Sequence, residues 1–221
     1  MIKLYSETRA RQIVQAQDAH LEALGRRYPL PAACIRAILF KELLEIDLLD
    51  VAADLAVRFY WARYGLRRWL RDRGIVRSPQ PVLRWGPFGK RDSSTGYAQI
   101  FAYVGIRAIN FALDRGLAAP GELRIPADRR LSPETPEDLR EIWYRLYRDT
   151  RCNTELAALN LLAAAEEMTG RVDFFHYTPE ELMLVFTRYN ADTRHITAYG
   201  REAYGYYLAY SRGETPRRGE G

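Results

Sequence analysis

The chain of 221 residues predicts a mainly α-helical single domain, broken by one long Pro/Gly-rich loop and holding little or no β-structure. Three observations predict it. Apolar residues recur every three or four positions through most of the chain, and no stretch alternates over the length of a strand. Helix start and stop signals bracket those periodic stretches, as at Thr135-Pro-Glu-Asp138, Thr178-Pro-Glu-Glu181, Gly74 and Gly170. Between Gly74 and Gly96 the period is lost and proline and glycine accumulate.

In chain order, a first helix is expected from about Ser6 to Leu24, ending at Gly25. Tyr28-Pro-Leu-Pro31 then breaks the chain, and Pro31 suits the first turn of a second helix, where a missing N–H costs nothing. That helix runs through Glu42 to about Ile46. A long third pattern of Val51, Leu55, Phe59, Ala62, Leu66 and Leu70 ends at Gly74, with Asp50 read as its N-cap and the basic Arg67–Arg73 end suited to a helix C-terminus. The 74–96 interval reads as a flap or insertion loop, and Val82, Leu83, Trp85 and Phe88 argue that it packs. Further helices are expected from Ile100 to Arg115, from Thr135-Pro to Arg148 with a capping-box-like start, from Asn153 to near Gly170, from Thr178 to Asn190 and from Ile196 to Tyr210. Residues 1–210 thus form one domain, and 211–221 have the composition of a disordered tail.

Composition excludes several function classes. Hydrophobic residues make up 48% and charged residues 28%, ordinary for a globular domain. No run of about 18 apolar residues exists, so no transmembrane segment is expected. The N-terminus lacks the apolar core of a secretory signal, so synthesis in the cytoplasm is expected. The net charge is +5, and all the basic residues except Lys3, Lys41 and Lys90 are arginines. An anionic partner fits that balance, but the arginines are interspersed with acids along helix faces. No nucleic-acid reading motif accompanies them, and no nucleic-acid partner is expected. Cys34 and Cys152 do not form a metal-ligand spacing, and His20, His176 and His195 are scattered. No metal and no cofactor is expected.

One residue stands out against this background. At about 100° per residue, Ile35, Ile38, Leu39, Ile46 and Leu49 all fall within roughly 60° of Glu42, while Lys41 and Arg36 point elsewhere. A carboxyl on the core-facing stripe of a helix is costly to bury charged. Its pKa rises, and it can hold a proton near neutrality as a general acid must. The competing reading is a partly exposed glutamate paired with an arginine of a neighbouring helix.

Three segments in order decide between these readings. Ile35-Arg-Ala-Ile-Leu-Phe-Lys-Glu42 resembles the catalytic-glutamate helix of the goose-type lysozyme and soluble lytic transglycosylase superfamily. Ser93-Ser-Thr-Gly-Tyr-Ala-Gln-Ile100 is similar to its Gly-Leu-Met-Gln motif, at Gly96, Tyr97, Ala98 and Gln99. Phe186-Thr-Arg-Tyr-Asn-Ala191 is similar to its Ala-Tyr-Asn segment, at Arg188, Tyr189 and Asn190. Two positions depart from the family pattern: Leu43 replaces the serine after the glutamate, and Ala98 the methionine before the glutamine.

The resemblance implies a lysozyme-like helical fold and cleavage of the β-1,4 bond between N-acetylmuramic acid and N-acetylglucosamine. Its partner would be peptidoglycan, reached after release or delivery to the cell wall. In the transglycosylase form Glu42 is the sole general acid and base, and the muramoyl C6 hydroxyl attacks to leave a 1,6-anhydro end. An inverting hydrolase needs a second carboxylate roughly 6.5–9.5 Å away to activate water. Asp92 is the candidate for it, with Asp47 and Asp50 as rivals. A catalytically silent glycan- or protein-binding module is a third reading. The candidate substrate-binding residues are Ser94, Thr95, Gly96, Tyr97, Gln99, Tyr189 and Asn190. All but Gln99 have a plainer alternative: Ser94 and Thr95 as helix caps, Gly96 as a turn residue, Tyr97 as packing, Tyr189 as a core or rim residue and Asn190 as a helix end; for Asp92 it is a turn residue.

Overall fold

The computed structural model describes residues 2–79, 90–118, 129–214 and 216. The expected packing of Val82, Leu83, Trp85 and Phe88, and the last residues of the tail, lie outside them. Among the described residues the structure is mainly helical, without strands; β-pairing is limited to two isolated bridges, Lys3–Asp47 and Thr95–Ile100. None of these helices is long and apolar enough to cross a membrane.

The first expected helix is two. α1 (Glu7–Gln15) is capped by the Ser6 hydroxyl, which accepts from the Arg9 N–H, and α2 (Asp18–Arg27) follows after a break at Ala16 and Gln17. At the break the Gln17 N–H turns to the Val14 carbonyl, three residues back. No proline or glycine marks the site, so the sequence carries no sign of it. Gly25 does not end α2 but lies inside it: a Cβ there would stand 3.0 Å from the Ala32 amide nitrogen. Glycine thus lets α2 close onto the start of α3 (Ala32–Glu45), for which Pro31 is the N-cap.

α4 (Leu48–Asp72) begins earlier than expected, and its N-cap is Asp47, not Asp50. The Asp47 carboxylate accepts from the Leu49 and Asp50 N–H groups, while Asp50 reaches back to the Asp47 N–H at 2.9 Å. This reciprocal box satisfies donors that an α-helix N-terminus leaves open. α5 (Ala102–Asp114) and α6 (Pro136–Arg148) follow; Thr135 sits at the α6 N-cap without a side-chain bond. α7 (Thr150–Thr169) starts three residues before the expected Asn153, capped by Asp149, and stops at Gly170 with φ 72°. A 3-10 turn (Phe174–His176) leads to α8 (Pro179–Asn190), whose Thr178–Glu181 capping box is complete. α9 (Ala198–Ser211) closes the chain.

Two helices organise the rest. α3 is enclosed by α1, α2, α7 and α9, and α7 by α2, α3, α5, α6 and α8. Twelve of the 14 residues of α3 are buried, and 12 of the 20 in α7, as expected of helices apolar on nearly all sides. α8 and α9 pack on each other and carry α9 across α3. α4 lies at the periphery. It turns Tyr60, Trp61 and Tyr64 inward, while the apolar row that marked it in the sequence, Val51, Leu55, Phe59, Ala62 and Leu66, faces out.

The Thr178 cap is exposed and separable from packing. Thr178→Ala should lower stability by about 1 kcal/mol, read as a lower urea midpoint with an unchanged slope.

Candidate active site

Glu42 stands in the last turn of α3, where the helix emerges beside a groove of about 500 Å³. The groove is walled by the ends of α3 and α8, the start of α4, the segment leading into α5, and the side of α7. Of the residues proposed from sequence, Glu42, Ser94, Gln99, Tyr189 and Asn190 line it. Asp92, Thr95, Gly96 and Tyr97 do not.

The Glu42 side chain is nearly buried, with 7% of the residue exposed. Its hydrogen-bond partner among the described residues is the Tyr199 hydroxyl, which donates to Oε1 from α9. Burial pushes the Glu42 carboxyl up to about 7; the Tyr199 bond and the Lys41 charge oppose that rise, and Glu45 and Asp50 add to it. Lys41 does not point away from the core as expected. It is 6% exposed and holds Glu202 at 2.6 Å and Glu45 at 3.0 Å, with its ammonium 5.5 Å from the Tyr199 ring centre. Leu49, expected on the Glu42 face, belongs to α4 and is exposed, because α3 ends first. Tyr189 donates to the Ala98 carbonyl at 2.7 Å, and burial together with the Glu42 charge raises its phenol well above the usual value.

The segment before α5 is a tight turn closed by paired Thr95 and Ile100 backbone bonds of 3.2 Å. Its hold comes from α7. Asn153 donates from Nδ2 to the Thr95 carbonyl at 2.9 Å and accepts at Oδ1 from the Ala98 N–H at 2.8 Å. Gly96, at φ 71°, is required here: a Cβ would lie 2.3 Å from Asn153 Nδ2 and 2.8 Å from the Leu146 carbonyl oxygen. Gln99 takes the left-handed region without being glycine, at φ 45°. Its amide Nε2 folds back to the Gly96 carbonyl at 2.8 Å, keeping the side chain at the groove wall.

Asp92 serves α5 instead of the groove. Oδ1 accepts from the Ser93 and Ala102 N–H groups at 2.9 Å, and Oδ2 from the Tyr103 N–H at 3.0 Å. Phe101 occupies the N-cap position and offers no side-chain acceptor, so the open helix amides take a carboxylate from ten residues upstream. Burial raises the Asp92 carboxyl to about 6, against the pull of those amides. Thr95 is fully buried and donates to Asp54 at 2.9 Å. Tyr97 packs edge-on against Tyr5, ring centres 6.3 Å apart. The remaining acids along the groove have other attachments: Glu45 to Lys3 and Lys41, Asp47 and Asp50 to the α4 start, Glu167 and Asp192 to Arg188.

Two site residues escaped the sequence reading, Tyr199 and Asn153. One is among 15 tyrosines and the other stands where the sequence predicts a helix start; neither falls in a motif that marks it. The chain matches no family model, no curated protein and no solved structure.

Removing the Asn153 amide would leave a buried N–H and a buried carbonyl without partners. Asn153→Ala should therefore lower stability by about 2–4 kcal/mol, seen in urea unfolding. Glu42 also links stability to pH. Between its usual value near 4.5 and about 7 the folded chain holds a proton that the unfolded chain has lost, so stability falls as pH rises through that window and levels off above it. Glu42→Gln should be more stable than the wild type by a few kcal/mol above pH 7, and the two should converge below pH 4.5 in melts across that range.

Proposed function

We propose that the chain cleaves the glycan strands of peptidoglycan between N-acetylmuramic acid and N-acetylglucosamine, as a lytic transglycosylase with Glu42 as sole general acid and base. The observation that carries this reading is a nearly buried carboxyl with a pKa of about 7 on the wall of an open groove. Support also comes from the convergence of the three segments of the resemblance. Tyr189 bonds the carbonyl of Ala98 within the Gly96–Gln99 turn, and its phenol feels the Glu42 charge. The two departures from the family pattern are both fully buried apolar side chains, Leu43 and Ala98.

Protonated Glu42 gives its proton to the glycosidic oxygen, and the C1–O bond to the leaving sugar breaks. The carboxylate left behind is stabilised by the Tyr199 hydroxyl, since a hydrogen bond to the charged form favours it. Glu42 then takes the proton of the muramoyl C6 hydroxyl as that oxygen bonds to C1, giving the 1,6-anhydro product and returning Glu42 protonated. No water is consumed. Gln99, Ser94 and Asn190 offer polar groups to the sugar substituents along the groove. An inverting hydrolase is the less favoured reading, because Asp92 is committed to the α5 amides. In either reading the chain acts on the wall after release or delivery.

Wild-type protein should release soluble muropeptides from purified sacculi, and Glu42→Gln should lose at least about 100-fold of that activity. Mass spectrometry should find products one water lighter than reducing ends. Full activity in Glu42→Gln, or products that are all reducing, would refute the assignment.

A further inference from the structure

α4 carries a second pattern besides the one that packs it. Ala52, Leu55, Phe59, Ala62, Leu66 and Trp69 follow one another in steps of three and four, and all are exposed. Leu55 is 63%, Phe59 49%, Leu66 59% and Trp69 50% exposed. A strict alternation of three and four is the seam of a two-helix coiled coil. It lies on the side of α4 opposite the inward Tyr60, Trp61 and Tyr64. With Leu48, Leu49 and Val51, exposed apolar side chains run the length of α4 on this face, the kind of contiguous patch that marks an interaction site.

We infer that this face binds a second copy of the chain, α4 against α4 and antiparallel, about a two-fold axis midway along the helix. Two observations fit a second copy and set its orientation. The first is side-chain size. With the axis between residues 60 and 61, each Trp69 meets an Ala52, each Phe59 an Ala62 and each Leu55 a Leu66, so every large ring faces a small residue and the layers fill evenly. A parallel pair sets Trp69 on Trp69 at one end of the seam and Ala52 on Ala52 at the other, about 25 Å away. The second is charge. In a parallel pair the flanking Arg58 and Arg63 of the two copies face each other on both sides of the seam. In the antiparallel pair Arg58 faces Gly65, and Asp72 faces Val51. The interface is isologous and closes at two copies.

Sedimentation equilibrium of the full chain at micromolar concentration should give twice its 25.6 kDa mass. The double variant Leu55→Asp/Leu66→Asp should halve the observed mass while leaving far-ultraviolet circular dichroism unchanged, and its melting should lose the dependence on protein concentration that a dimer shows. Orientation is read by cysteine trapping, for which the native Cys34 and Cys152 are both buried. Ala52→Cys mixed with Trp69→Cys should form an intermolecular disulfide under mild oxidation, and Ala52→Cys alone should not. A monomeric mass at every concentration, or a dimer that survives the double aspartate variant, overturns the inference. So does Ala52→Cys linking to itself, which reports a parallel pair. A monomer that cosediments with phosphatidylcholine–phosphatidylglycerol vesicles overturns it in favour of a lipid surface.

Discussion

The structure depends on the enclosure of α3. A helix with almost no solvent face must satisfy every polar group it carries from inside the protein, because a buried charge or hydroxyl without a partner costs several kcal/mol. Lys41 and Glu42 are adjacent on α3 and both are nearly buried, yet they are handled in opposite ways. Lys41 keeps its charge between Glu45 and Glu202. Glu42 is offered only a phenol by the described residues, and resolves the cost by taking up a proton. α7 is enclosed in the same way. Its Glu155 accepts from the Tyr28 hydroxyl at 2.9 Å and pairs with Arg27, and its Asn153 reaches out to the turn before α5. Lys41, Glu42, Asn153 and Glu155 therefore have partners that pin neighbouring elements in place.

That requirement makes the groove wall rigid. The chain from Asp92 to Tyr103 is held at three points: by Asp92 on the α5 amides, by Asp54 on the hydroxyls of Ser93 and Thr95, and by Asn153 on the Thr95 and Ala98 backbone. Ser93 in turn accepts from the buried Trp143 indole at 3.0 Å. A left-handed backbone at Gln99 persists only where surrounding contacts over-determine it, and these contacts do so. Tyr189 ties the same turn to α8. This stretch of groove wall is thus a backbone surface fixed from several helices at once.

What could be read from the sequence follows the range of the interactions involved. Helix identities and most ends are local, set by period, proline and caps, and they were legible. Glu42 was legible because a carboxyl conflicts with its own helical face. The break between α1 and α2 was not, since it arises from packing two short helices on α3 with no local breaker. The orientation of α4 was not, because both its faces are apolar and periodicity alone does not say which turns inward. Asp92 reads in the sequence as a second acid or a turn residue; its role depends on Phe101 failing to cap a helix ten residues later. Asn153 looked like the start of a helix whose cap, Asp149, lies four residues earlier. Tyr199 reaches Glu42 only because α9 crosses α3, and nothing near it in the chain reports that crossing.

The balance at Glu42 bears on the chemistry proposed for it. A group that must act as acid and then as base in one cycle works best with a pKa close to the pH at which it operates. Burial alone would carry the carboxyl higher, making a ready proton store but a conjugate base too reluctant to stay charged between the two steps. The Tyr199 hydroxyl and the Lys41 charge act against burial and hold the value at about 7. Because Lys41 is itself saturated by two carboxylates, its pull on Glu42 is tempered and does not amount to a salt bridge that would fix the anion. The same arrangement explains why a second acid is dispensable in the proposed reaction: the attacking hydroxyl belongs to the substrate, so a base is needed only where the proton was just given up, at the same carboxylate.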